Sequence, residues 1–245
     1  MTAVDRVAPS RSSAGRLATV LVHGAGHTAA VWRDTRAAFA RPSLAVDLPG
    51  RGRHPADLTR VTVDAAATAS AADVRAAVDG DIVLVGHSVA GTVLPSVAAR
   101  LGERVRGMVF VAGISAPEGQ APTELFLPGQ AARVATRLAE LRAEHGGTTL
   151  EALDVKTASA IDSLNLSSQP MRWAGIADSM PRTFVRCLRD PIQSRDLQDR
   201  FIASCGATDV VDVDTGHTPA QEDPVALAAV LEEIVASFER AGPRP

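Results

Sequence analysis

Residues 81–91 read DIVLVGHSVAG, and the reading of this stretch decides the fold. Four apolar, mostly β-branched residues (82–85) run into Gly86-His87-Ser88-Val89-Ala90-Gly91, and a helical pattern over 89–101 begins at once. A strand that passes directly into a helix must reverse sharply. Small residues on either side of the turn let strand and helix pack closely, leaving Ser88 strained at the tip. Gly86 and Ala90 supply those small residues, with Gly91 behind. Ser88 then stands at a helix N-terminus, where free N–H groups and the helix dipole favour negative charge. The N–H of Val89 is placed to donate to an oxyanion there. Pro95 disturbs the helical pattern: it removes one backbone hydrogen bond and is expected to kink the axis.

Working outward, short apolar runs recur at 17–22 (LATVLV), 44–48 (LAVDL), 108–111 (MVFV), 183–187 (TFVRC) and 210–213 (VVDV). Such runs, bounded by Gly, Asp and Pro, read as buried parallel strands. Helical patterns over 29–40, 62–78, 195–204 and 224–240 lie between and after them, the last opening with Pro at a helix-start position. The alternation predicts an α/β fold: a mainly parallel sheet of about six strands with helices on both faces. Residues 115–181 break the rhythm. They carry Pro117, Pro122 and Pro128, a helix-like run over 131–145 ending at Gly146-Gly147, and mixed segments without a clear strand. A long insertion rich in Leu, Val and Ala is expected to form a helical cap over the carboxyl edge of the sheet.

The 245 residues, 46% hydrophobic and 22% charged, suit one domain over 17–245 preceded by a flexible N-terminus at 1–16. A net charge of −3 gives no reason to expect a nucleic-acid or membrane partner. The N-terminus lacks the apolar core of a signal peptide, and no window is long and apolar enough to span a bilayer. The two cysteines, Cys187 and Cys205, form no C-x-x-C pair and read as packing residues in a reducing setting. These features predict a cytoplasmic protein. Metal motifs such as H-E-x-x-H or paired cysteines do not occur, so neither a metal nor an organic cofactor is expected.

A serine at a strained turn needs a base from a loop at the same sheet edge. Of six histidines, His217 lies in DTGHTP, after the last strand and before the last helix. The base needs a carboxylate to orient its ring and stabilise its charged form. Asp190 falls just past the strand at 183–187, 27 residues before His217, with room between for one helix and one strand. Asp196, Asp214 and Glu118 are the competing carboxylates.

Together these strings resemble the α/β-hydrolase superfamily. The turn at Ser88 is similar to its G-x-S-x-G nucleophile elbow, with Ala90 in place of the second Gly, and the chain order Ser…Asp…His matches. The loop VHGAGH at 22–27 resembles the family's H-G oxyanion motif, which implies that the N–H of Ala25 partners that of Val89. DLPGRG at 47–52 resembles a rim-shaping turn of the family, and Gly216-His217 followed by Glu222-Asp223-Pro224 its histidine loop.

The segment HGAGHTAAVW (23–32) is similar to the H-G-A-x-H-G-x-x-x-W loop of the branch containing plant methyl esterases, hydroxynitrile lyases and bacterial hydrolase relatives, with Thr28 replacing Gly. The lyases carry Thr after the first His of that loop and Lys after the catalytic His. Gly24 and Thr218 stand there in this chain and argue against cyanohydrin chemistry. Ser88 excludes the branches that need an Asp nucleophile. The resemblance implies a cofactor-free serine hydrolase cleaving a carboxylic ester, lactone or thioester of a small apolar molecule through Ser88, His217 and Asp190. His27, Leu125, Phe126 and Trp173 are candidate substrate-binding residues, although core packing explains the apolar ones equally well. The same fold hosts cofactor-free lyases and cyclases, and receptors that keep the triad but only bind a small ligand.

Overall fold

The apolar runs form six parallel strands: β1 (Ala18–Val22), β2 (Ser43–Val46), β3 (Ile82–His87), β4 (Val105–Val111), β5 (Arg182–Cys187) and β6 (Asp209–Val213). The computed structural model describes residues 16–241, so the expected flexible segment 1–16 lies, save for Arg16, outside it. The strand order is β2-β1-β3-β4-β5-β6, parallel throughout. The direction of winding reverses at the β1–β3 pair. In open α/β sheets, ligands bind in the crevice beyond the strand carboxyl ends at such a point. Val22 pairs with Gly86 there, which sets the loop after β1 beside the Ser88 turn.

Both faces of the inner strands are covered, which is why β1, β3 and β4 are largely apolar without alternation, while the edge strand β6 is mostly exposed. On one face Val20, Val22, Leu84, Met108, Phe110 and Phe184 share a core with α2 (Val63–Ala77), α3 (Leu94–Leu101) and α7 (Arg195–Cys205). On the other, Leu21, Val83, Val85, Val109, Val111 and Val185 meet Trp32 and the Leu227-Leu231-Val235-Phe238 stripe of α9 (Pro224–Arg240). Short α1 (Arg33–Ala37) and α8 (Pro219–Glu222) pack beside α9 on this face. Among the described residues, no helix is long and apolar enough to cross a membrane.

Two expectations need correction. The pattern at 89–101 is not one kinked helix: a 3₁₀ turn, Ser88–Thr92, is followed by α3 from Leu94. Pro95 occupies the first turn of α3, where its missing N–H would have had no intrahelical partner, so it starts a helix and kinks none. Residues 29–40 likewise split into a 3₁₀ turn, Ala29–Trp32, and α1. Between β4 and β5 stand α4 (Thr123–Phe126), α5 (Ala131–His145) and α6 (Val155–Ser167). The helix α6 does not emerge from the sequence pattern, and it packs against the turn that carries Ser88.

Candidate active site

Ser88 begins the 3₁₀ turn with φ +53°, a left-handed conformation that a residue with a side chain adopts only under constraint. The constraint is visible on both sides of the turn. The Ser88 carbonyl accepts from Ile114 N–H at 2.8 Å, and a Cβ on Gly91 would stand 2.5 Å from the Ile114 carbonyl oxygen. Ala90 is fully buried at the position where the elbow pattern has its second glycine. Gly91 is therefore the residue whose lack of a side chain lets the turn approach the backbone just past β4.

The loops after β5 and β6 meet Ser88 from the other side. His217 Nε2 lies 2.9 Å from Ser88 Oγ, and His217 Nδ1 lies 2.7 Å from Asp190 Oδ2. With Nδ1–H donated to a carboxylate, Nε2 is left to accept the serine proton. The side chain of Asp190 is fully buried. Its other oxygen accepts from the N–H groups of Ile192 (2.8 Å) and Gln193 (2.9 Å). Burial alone would raise its pKa, but the hydrogen bonds from His217, Gln193 and Ile192 and the charge of His217 outweigh it and hold Asp190 below the ordinary carboxylate range. The competing carboxylates are engaged elsewhere. Asp214 pairs with Arg189, Asp196 lies in the first turn of α7, and Glu118 accepts from the N–H groups of Trp173 and Ala174.

The histidine loop has its own supports. Glu222 accepts from Gly216 N–H at 2.6 Å and pairs with Arg189, and Asp223 caps α9. His87, the residue between Gly86 and Ser88, donates from Nε2 to the His217 carbonyl at 2.7 Å. Its role was not legible in the sequence. The ring packs edge-on against Trp32, and burial followed by the neighbouring charge of His217 pushes its pKa down to about 3. His23 is wholly buried, donates from Nδ1 to the Gly24 carbonyl and accepts Leu48 N–H at Nε2. Burial and then the charge of Arg51 keep it well below 6.5.

These two histidines predict acid lability. In the unfolded chain each titrates near 6.5, whereas in the folded protein both stay neutral below that pH. The unfolded state therefore binds more protons as pH falls, and stability rises with pH across this window. The two together should remove about 2.7 kcal/mol per pH unit once the pH is well below 6.5. Urea unfolding followed from pH 7 to 4.5 checks this, and a flat midpoint down to pH 5 contradicts it.

Beyond β1, the chain at Gly24 lies directly on the elbow: a Cβ there would stand 2.6 Å from His87 Nδ1 and 3.2 Å from Ser88 Cβ. Among the described residues, the N–H groups of Ala25 and Val89 have no protein acceptor. For Val89 this follows from its place in the first turn of a 3₁₀ helix.

The candidate substrate-binding residues separate. His27 is half-buried beside His87, and burial, then the charges of His217 and Arg51, lower its pKa. Leu125 and Phe126, on α4, are partly buried against the core. Trp173 donates from Nε1 to the Ala116 carbonyl at 2.9 Å, lies 6.2 Å from the Phe110 ring and stacks under the Arg182 guanidinium at 4.9 Å. Arg182 opens β5 at its amino end, whereas Phe110 is the penultimate residue of β4 and Ala116 lies beyond that strand's carboxyl end. A separate groove of about 590 Å³ lies in the helical segment between β4 and β5, among Leu127, Val134 and Leu164. Cys187 and Cys205 are buried, which raises their thiols to about 11 and about 12. Among the described residues no cluster of three or more His, Cys, Asp or Glu could hold a metal ion.

The family described as "Alpha/beta hydrolase family" matches residues 19–230. Lipase LipV of Mycobacterium tuberculosis (strain ATCC 25618 / H37Rv) is 27% identical over 270 residues, spanning 98% of this chain and 98% of that protein. Three solved structures illustrate the shared fold. The pyrethroid hydrolase PytH superposes with TM-score 0.69 at 21% identity, over 91% of this chain and 98% of its own. An extracellular alpha/beta-hydrolase from a Paenibacillus species gives 0.71 at 16%, over 89% and 98%. The methylesterase MES16 from Arabidopsis gives 0.64 at 18%, over 90% and 99%. With a match that runs unbroken from β1 into α9, this chain belongs to the alpha/beta hydrolase family.

Proposed function

We propose that the protein is a serine hydrolase that cleaves a carboxylic ester of a small apolar molecule through an acyl-enzyme. The observation that carries this reading is the continuous chain Asp190–His217–Ser88, with heavy-atom separations of 2.7 and 2.9 Å, ending on a serine at positive φ. His217 takes the Ser88 proton as Oγ attacks the ester carbonyl. The N–H groups of Ala25 and Val89 stabilise the oxyanion, each contributing about 3 kcal/mol if its geometry is good. Asp190, ionised, holds the imidazole in the correct tautomer and stabilises its cation. The alcohol leaves with the proton from His217, and water then repeats the sequence on the acyl-enzyme. That relatives in sequence and fold are named as a lipase, a pyrethroid hydrolase and a methylesterase supports an ester bond as the target. We read the enzyme as cytoplasmic, its two buried, unpaired thiols suiting a reducing compartment.

The test pairs fluorophosphonate labelling with hydrolysis of p-nitrophenyl acetate, butyrate and octanoate. We expect stoichiometric labelling and turnover, with ¹⁸O from solvent water entering the acid product. Turnover of a candidate substrate without incorporation of solvent oxygen would move the assignment to a lyase or cyclase. No turnover and no labelling, with thermal stabilisation by a small ligand, would move it to a receptor.

A further inference from the structure

Asp162 and Arg51 are both essentially unexposed, at 1% and 0% of their side-chain surface, and form a two-pronged pair: Nη2 to Oδ1 at 2.6 Å and Nη1 to Oδ2 at 2.7 Å. Arg51 belongs to the DLPGRG turn, and Asp162 sits in the middle of the cap helix α6. Neither side chain spends its hydrogen bonds on the pair alone. Asp162 Oδ2 also accepts from Gly26 N–H at 2.8 Å, and Arg51 Nη1 also donates to the His27 carbonyl at 2.9 Å. The loop that carries Ala25 is thus held by main-chain groups on the two residues that follow it. The cap grips the turn a second time, through Leu150 N–H to the Gly50 carbonyl and Gly52 N–H to Glu151.

We infer that Asp162 and Arg51 are positioning residues for the oxyanion hole, and that α6 of the cap is a structural part of that hole. The inference rests on the hydrolase reading above. An oxyanion donor works only when its N–H already points at the developing charge. A displacement of about 1 Å in a catalytic group costs on the order of 10²-fold in rate. The other hydrogen bonds to the loop of residues 24–27 are few: His23 Nδ1 donates to the Gly24 carbonyl at 2.9 Å, His27 N–H returns to the same carbonyl at 3.4 Å, and Ser159 of α6 reaches the Ala25 carbonyl at 3.5 Å. A paired charge with five hydrogen bonds, two of them to the loop's backbone and one to the Pro49 carbonyl, adds rigidity there. The pair would then matter more to the transition state, where the oxyanion exists, than to substrate binding.

The test uses the full chain with the pair replaced by apolar residues of similar length, Arg51→Met with Asp162→Leu, and in parallel the isosteric Asp162→Asn. Phosphonate titration counts functional sites, so that a folded but partly inactive sample is corrected for. We expect kcat for p-nitrophenyl butyrate to fall about 10²-fold per titrated site, with KM within about threefold. Affinity for a boronic acid that mimics the tetrahedral intermediate should fall with kcat. Hydrogen exchange at residues 24–27 should accelerate in both variants. Wild-type kcat and wild-type exchange in either folded variant overturns the inference, as does a change confined to KM. If the apolar pair fails to fold, the Asp162→Asn measurements decide alone. Absence of turnover and labelling in the wild-type protein would be a failure of the hydrolase reading, and the positioning role is then decided by the exchange of residues 24–27.

Discussion

Ser88→Ala should lower kcat for p-nitrophenyl butyrate by about 10⁴–10⁶-fold and abolish phosphonate labelling, while the protein stays folded. The argument is chemical. With Oγ gone, the acyl-enzyme route closes, and what remains is catalysis by the oxyanion donors and by substrate binding, which is worth about 10³–10⁴ over water in comparable sites. His217→Ala should cost about as much. Asp190→Asn should cost about 10⁴-fold, because an amide facing Nδ1 favours the tautomer with the proton on Nε2, where it blocks acceptance from Ser88. The losses should not add, since all three residues serve one proton transfer. The backbone adds a second observable. Alanine keeps a Cβ at φ +53°, so Ser88→Ala leaves the strain in place, whereas Ser88→Gly removes it. The glycine variant should be inactive yet more stable by about 1 kcal/mol, or about 2–4 °C in Tm. Ser88→Ala turnover within tenfold of wild type would remove Ser88 from the mechanism.

The strands and the serine turn were legible because their signals are local. A strand buried on both faces must be apolar at nearly every position, as β1 and β3 are, whereas the edge strand β6, with Asp209 and Asp212 exposed, shows it least. The turn at Ser88 is likewise a property of six consecutive residues. Pro95 misled because the rule applied to it assumed that the helix had already begun at residue 89. Once the helix starts at Leu94, the same physics makes Pro95 favourable. The helix α6 escaped for a different reason. Its buried face carries Asp162, Asn165 and Ser167, so the apolar spacing that marks an amphipathic helix is broken. Those polar residues are buried because their partners come from elsewhere: Asp162 meets Arg51, and Asn165 meets the Leu58 carbonyl and Arg142. No periodicity encodes a partner some hundred residues away. Asp190 was preferred to Asp196, Asp214 and Glu118 in the sequence only by its place just past the strand at 183–187 and its spacing to His217. In the fold it is Asp190 that lies 2.7 Å from His217 Nδ1.

Asp162→Ala should destabilise the fold by about 3–5 kcal/mol, the cost found when one partner of a buried ion pair is removed. At this chain length that corresponds to a Tm lower by about 6–20 °C. Two effects add. Arg51, with no exposed surface, keeps a guanidinium that has lost both carboxylate oxygens, and Gly26 N–H loses its buried acceptor. The pair as a whole is a different matter, because burying two charges costs nearly as much as their attraction returns. Arg51 Nε is moreover buried without a hydrogen-bond partner, so even the intact pair is not fully satisfied. The apolar double replacement should therefore lie within about 2 kcal/mol of wild type or above it, with the single variant far below both. A thermodynamic cycle of the two singles and the double reads this directly as a large favourable coupling between residues 51 and 162. A loss under about 1 kcal/mol in Asp162→Ala would mean that water or a nearby carbonyl replaces the carboxylate without difficulty. If instead the double variant recovers stability but not turnover, the charge pair is kept for what it does to the loop at Ala25, since an apolar pair would hold the cap equally well.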